Sequence, residues 1–181
     1  FYENTQESFD ELCQIITNYV DKLTLPKSKI LSVGINISGR VNTQTGHSYS
    51  LYYFNERPLT EVFHERLGLH VTIDNDSRSM AYGEFMNGVV KDEKNIFFIN
   101  VSWGLGMGVI VDGKLYYGKS GFSGEFGHFS VFDNEIICRC GKKGCLETEV
   151  SGSALHRILC EKVKSGQSSI LSKRILTEET S

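Results

Sequence analysis

The chain has 181 residues, 40% of them hydrophobic and 11% aromatic, with 19 Lys and Arg against 22 Asp and Glu for a formal net charge of -3. This is the make-up of a core-forming globular chain. With no basic cluster longer than a pair, it excludes an electrostatic footprint for nucleic acid or an anionic membrane within these residues. No basic and apolar leader opens the chain and no run reaches the length of a membrane span, so the sequence reads as a cytoplasmic protein of one domain or two small lobes.

Phe9, Leu12, Cys13, Ile16, Val20 and Leu23 recur at helical spacing and predict an opening helix. ILSVGINI, over 30–37, is a β-branched run that ends in the turn Ser38-Gly39-Arg40 and predicts a strand. LTEVFHERLG places Leu59, Val62, Phe63 and Leu67 on one helical stripe and stops at Gly68. HVTI, over 70–73, is then a short buried strand leading to Asp74, Asn75 and Asp76. SRSMAYGEFMNG predicts a further helix. NIFFINVSWGLGMGVIVDGKLYYG reads as strand, glycine-rich turn, strand, Asp-Gly hairpin and third strand. The alternation implies an α/β fold with a mixed sheet. The glycine-rich segment Gly118 to Gly124 marks the boundary between a first α/β lobe, over 1–117, and a metal-containing segment opening a second lobe, over 118–181. Both lobes read as partial, because the chain starts without Met and ends in the polar SKRILTEETS, as a piece of a longer protein does.

Five cysteines are present, an odd count, and Cys138, Cys140 and Cys145 crowd into eight residues while Cys13 and Cys160 stand alone in helical patterns. A disulfide framework would be even and dispersed. The clustered thiols read as metal ligands and the isolated ones as small buried hydrophobes. His128 with Cys138, Cys140 and Cys145 supplies the nitrogen and sulfurs that structural zinc takes, and Gly141 and Gly144 let the backbone curl around an ion. A closed set of four ligands leaves no open coordination position, so such a zinc is structural rather than hydrolytic.

GEFGH resembles the Glu-x-Gly-His of the ROK family (repressors, open reading frames and sugar kinases), and CRCGKKGCLE resembles its Cys-x-Cys-Gly-x-x-Gly-Cys-x-Glu signature. IDND is similar to the family's strand-ending Asn-Asp, VGINISGRV to its glycine-containing sugar-side loop, and VSWGLGMGVIVDGKL to its second phosphate loop and hairpin. The resemblance spans roughly residues 30–152 and lies nearer to the family's sugar-responsive transcriptional regulators than to its kinases. It implies an actin-like, hexokinase-like ATPase-type fold of two lobes with a monosaccharide or amino sugar in the cleft. Gly39, Asn75, Asp76, Glu125, His128 and Glu147 would lie at the sugar, His128 beside its zinc bond. Ionised carboxylates suit that task because they accept hydroxyl donors strongly. Asp76 would be the catalytic base in a kinase, which would also need ATP and Mg; a helix N-cap role for Asp76 is compatible with either. The resemblance further implies a homo-oligomer and, for a regulator, operator DNA bound by a winged helix-turn-helix preceding residue 1.

The kinases' second phosphate loop resembles Gly-Thr-Gly-x-Gly, where this chain has Ser102, Trp103, Gly104, Leu105 and Gly106. An indole replaces a small hydroxyl donor beside the phosphate-loop-like glycines Gly104 and Gly106. The Asp-x-Gly strand of the first phosphate loop is not found. WGLGMG therefore reads as a tight turn, with glycines for positive φ and Trp103 as a packed aromatic. The favoured reading is a sugar-sensing effector domain; the alternatives are a sugar kinase and a zinc-stabilised interaction domain, and the carboxylates argue against the last.

Overall fold

The computed structural model describes residues 4–54 and 56–178. Helix α1 (Gln6–Asp21) begins where Thr5 Oγ1 accepts the Ser8 N–H at 3.2 Å, and it buries Phe9 and Cys13. Strand β1 (Val33–Ile37) is followed by a small antiparallel hairpin, β2 (Val41–Asn42) with β3 (His47–Ser48). Helix α2 (Leu59–Leu67) then stops at Gly68, whose φ of 62° only glycine adopts without strain. Strand β4 (Val71–Asn75) lies parallel to β1, with Val33 opposite Val71 and Ile37 opposite Asn75. A parallel pair needs a crossover, which the hairpin and α2 supply. Phe9, Cys13, Ile37, Phe63, Leu67, Val71 and Ile73 close one core between these elements, the Phe9 and Phe63 rings 4.8 Å apart. Each wholly buried side chain of this size contributes about 1.5–3 kcal/mol.

Helix α3 (Asp76–Asn87) starts directly from β4. Its N-cap is Asn75, not Asp76: Asn75 has the extended backbone a cap requires and its Oδ1 accepts the Arg78 N–H at 3.0 Å. Strands β5 (Ile96–Val101), β6 (Leu105–Val111) and β7 (Lys114–Leu115) form a sheet in that order. The predicted Asp-Gly hairpin joins the last two, with φ of 49° at Asp112 and 73° at Gly113. Side chains alternate along β5, leaving Phe97, Ile99 and Val101 exposed on one face. After a loop-rich stretch come the short α4 (Glu147–Val150), α5 (Gly152–Lys164) and α6 (Ser172–Glu178), where Cys160, Val163 and Ile175 pack together. Cys13 and Cys160 are buried free thiols, as their helical settings imply.

The chain forms two compact units, one made of residues up to Phe98 with Gly108–Ser123, the other of Ile99–Met107 with residues from Gly124 on. Ile99–Met107 thus packs with residues beyond 123, although it precedes the boundary read from the glycines. Among the described residues no helix is long and apolar enough to cross a membrane.

Candidate functional site

In the first unit the end of β1, the turn after it and the β4–α3 junction converge. Gly39 holds φ at 92°, and its carbonyl accepts the Asn75 Nδ2 donor at 3.0 Å. Both carboxylate oxygens of Asp76, the first residue of α3, accept hydrogen bonds. Its Oδ1 takes the Ser77 N–H at 2.7 Å and Asn75 Nδ2 at 3.1 Å, and its Oδ2 takes the Ser38 hydroxyl at 2.6 Å. Gly39, Asn75 and Asp76 therefore come together on one surface of this unit. Behind them is a residue that the sequence reading missed. Arg78 is 1% exposed; its Nε and Nη2 lie 2.8 and 2.7 Å from Asp74 Oδ1, Nη1 donates to the Gly121 carbonyl at 2.6 Å, and Nη2 donates to the Val41 carbonyl at 2.9 Å. The Tyr117 ring covers the guanidinium at 5.3 Å. A buried charge persists only when paired in this way, and Arg78 thereby locks α3 to β2 and to the 118–124 loop. No local pattern singles it out, because Asp74 lies in β4 and Arg78 in the helix that follows, so the helical i,i+4 rule does not cover the pair.

In the second unit a 3-10 turn, Glu125–His128, presents the GEFGH residues. Gly124 enters it with φ of 85°, so close to the Met107 carbonyl that a Cβ would overlap it. A tight loop follows, in which the Cys138 N–H reaches the Lys142 carbonyl at 2.8 Å and the Gly141 N–H the Cys138 carbonyl at 2.9 Å. Gly141 and Gly144 take φ of 87° and 69°, so the loop folds back and brings Cys138, Cys140 and Cys145 onto His128.

The ligand atoms of these four residues all lie within 4.8 Å of one another. Cys138 Sγ is 3.4 Å from His128 Nδ1, and Cys140 Sγ is 3.6 Å from Cys145 Sγ. A tetrahedral ion with bonds of about 2.3 Å to sulfur and about 2.0 Å to nitrogen would set a sulfur–nitrogen edge at roughly 3.5 Å and a sulfur–sulfur edge at roughly 3.8 Å. These two edges are therefore close to those of a tetrahedral shell, and the cluster could hold a metal ion. Its electrostatics also suit a cation. Burial pushes the Cys138 thiol up to about 12, and Cys145 is raised by burial and by its hydrogen bond to Cys140. Cys140 is lowered: burial opposes its ionisation, but the Lys142 N–H and the two neighbouring thiols outweigh it. Cys140 is thus the most readily ionised of the three thiols, and a cation is what would let all three ionise.

Two carboxylates flank the cluster. Glu125 Oε2 lies 3.6 Å from His128 Nε2, the ring nitrogen turned away from Cys138. Such a partner fixes the ring and its tautomer when the other nitrogen binds a metal. Glu147, at the start of α4, lies with Oε1 3.8 Å from Cys138 Sγ and accepts the Leu105 N–H on Oε2 at 2.9 Å.

The turn at Trp103 departs from its sequence reading in one respect. Among Gly104, Gly106 and Gly108, none has positive φ, and Gly106 and Gly108 lie within β6. Their smallness serves close approach instead: a Cβ on Gly104 would stand 2.9 Å from Glu147 Oε2, and one on Gly108 would overlap Ala81. The Ser102 N–H bonds to the Gly104 carbonyl at 3.1 Å, which makes the turn tight. Gly152 and Ser153, in the first turn of α5, donate to the Ser102 and Trp103 carbonyls at 2.7 and 3.0 Å, and Ala154 donates to its cap Ser151 at 3.2 Å. Trp103 is 46% exposed, its ring 5.6 Å from that of His156.

The ROK family model matches residues 2–179. The chain belongs to the ROK family. It is 37% identical to a glucokinase of Streptomyces coelicolor over 131 residues, 71% of this chain and 41% of that protein. It is 31% identical to the xylose repressor of Bacillus subtilis over 156 residues, 86% of this chain and 41% of that protein. Among solved structures, a ROK glucokinase from Streptomyces griseus in complex with glucose and AMPPNP superposes with a TM-score of 0.78 at 28% identity, covering 91% of this chain and 52% of that one. The fold is therefore the α/β, actin-like and hexokinase-like fold of ROK proteins. The chain spans about two-fifths of the length of these curated relatives, and both repressors and kinases stand among them.

Proposed function

We propose that this chain is part of the sugar-sensing effector region of a ROK transcriptional regulator, binding a monosaccharide or amino-sugar derivative beside a structural zinc on His128, Cys138, Cys140 and Cys145. The metal would supply a rigid closed shell that holds the loops from which Glu125 and Glu147 project. Glu125 and Glu147 would accept and orient sugar hydroxyls; in the first unit Asn75 and Asp76, with Asn75 positioned by the Gly39 turn, are the groups suited to the same task. Homo-oligomerisation and operator binding through a further domain belong to the same reading.

The observation that carries the regulator reading is Trp103. Phosphoryl transfer depends on donors aimed at the phosphate oxygens. At the position where the kinase loop resembles Thr, this chain presents an indole. The α5 N–H groups of Gly152, Ser153 and Ala154, which could otherwise face an anion, already donate to Ser102, Trp103 and Ser151. The kinase reading has Asp76 in its favour, since a carboxylate stands where the family's base is expected; against it, both oxygens of Asp76 are engaged by Ser38, Asn75 and Ser77.

The test is a panel of hexoses, N-acetylhexosamines and pentoses offered with ATP and Mg to the intact protein. The expected result is binding of at least one sugar by calorimetry with no sugar phosphate formed. Turnover at an ordinary enzymatic rate, above about 1 per second, would make the kinase reading correct.

A further inference from the structure

Leu105 is 8% exposed, and the acceptor for its amide comes from 42 residues further along the chain. That acceptor is Glu147 Oε2, and the other oxygen of the same carboxylate faces Cys138 Sγ. One short side chain therefore touches the ligand cluster on one side and the backbone of the Trp103 turn on the other. Gly104 leaves the room for this approach. A second link runs through Gly127, the neighbour of His128, which presses so closely on the Leu105 carbonyl that no Cβ would fit. The far side of the turn is bonded to the first residues of α5.

We propose that Glu147 is a positioning residue that ties the Trp103 turn, and through it the start of α5, to the metal-ligand cluster, so that the state of the cluster is transmitted to the turn. The proposal rests on the zinc reading above and adds to it a direction of transmission. A bond from a charged acceptor to a partly buried amide is strong, and its loss leaves the N–H without a partner. When the ion leaves, the loop bearing Cys138 and Cys145 loses its shell, α4 is no longer held, and the Leu105 amide loses its acceptor. A sugar hydroxyl that takes Glu147 must share the carboxylate with the same amide, so ligand arrival is felt at the same place.

Hydrogen exchange of the peptide covering Trp103 to Met107, followed by mass spectrometry on the intact protein, tests this directly. Metal content is measured in parallel, before and after stripping with a chelator and after reloading with zinc. Stripping should speed exchange of this peptide on the order of tenfold, and zinc should restore protection. Glu147→Ala should exchange fast with zinc still bound and change little on stripping, whereas Glu147→Gln, which keeps an oxygen acceptor for the Leu105 N–H, should be protected like the parent. Peptides from α2 and β4 should be unaffected throughout, which separates local release from unfolding. Zinc loss without faster exchange, a protected Glu147→Ala, or a Glu147→Gln as fast as the alanine variant would each overturn the proposal. A protein that neither holds nor takes up zinc would defeat the zinc reading, and with it the transmission. The two glutamate variants would then decide whether the tie to Leu105 stands without it.

Discussion

Arg78 carries a full charge into a place where it is 1% exposed, and every side of its guanidinium meets an acceptor or the Tyr117 ring. Removing one partner of such a pair leaves the other uncompensated. Arg78→Ala should therefore cost about 3–5 kcal/mol of stability in urea unfolding, because Asp74 and the carbonyls of Val41 and Gly121 lose their donor together. Glu125 predicts the opposite profile: it is partly exposed and belongs to no hydrophobic core, so Glu125→Ala should leave global stability nearly unchanged. Glu147→Ala, which strips the Leu105 N–H of its acceptor, should cost about 1–3 kcal/mol. Each should weaken sugar binding by roughly 1.5–3 kcal/mol, the range for a hydrogen bond to a charged group. Calorimetry on the intact protein measures both. Unchanged affinity in both variants would move the sugar site elsewhere.

At the scale of elements, α1, α2, β4 and the β5–β6–β7 run were legible because each carries a local signal: a stripe at 3.6 spacing, a stop at Gly68, a β-branched run, an Asp-Gly turn. The hairpin of β2 and β3 was not, because strands of two residues hold no period. The metal-ligand cluster was legible from residue type and spacing alone. What surrounds it was not: the Glu147 bond to Leu105 joins residues 42 apart, and Gly104 is small for the sake of that approach rather than for its φ. The N-cap of α3 was misplaced by one residue because both Asn and Asp cap well and only the backbone at Asn75 decides. The loop spanning Cys138 to Cys145 has few apolar anchors of its own, so its shape should depend on the ion. Cys140→Ser should release zinc, measured by metal analysis, and weaken sugar binding at the same time. Undiminished sugar affinity in the zinc-free variant would break the link between metal and pocket.

For the whole molecule, a sensor is defined by coupling rather than by contact. If sugar alters the affinity of the intact protein for operator DNA by some factor, that DNA must alter sugar affinity by the same factor. Sugar titrations with and without operator should therefore give different dissociation constants; identical constants for every sugar that binds would remove the regulator reading. The two compact units impose a further condition, on how the protein is made. The chain passes between them at residues 98–99, 107–108 and 123–124, so neither unit is a continuous stretch. During synthesis Arg78 emerges 43 residues ahead of Gly121, the carbonyl that accepts its Nη1. At roughly 5–20 residues per second the guanidinium waits about 2–9 s for that acceptor. Through that interval α3 cannot bury its arginine with every donor satisfied. The nascent chain should reach its native form only after the 118–124 loop has left the ribosome, and until then it is a client for whatever holds unfinished chains apart.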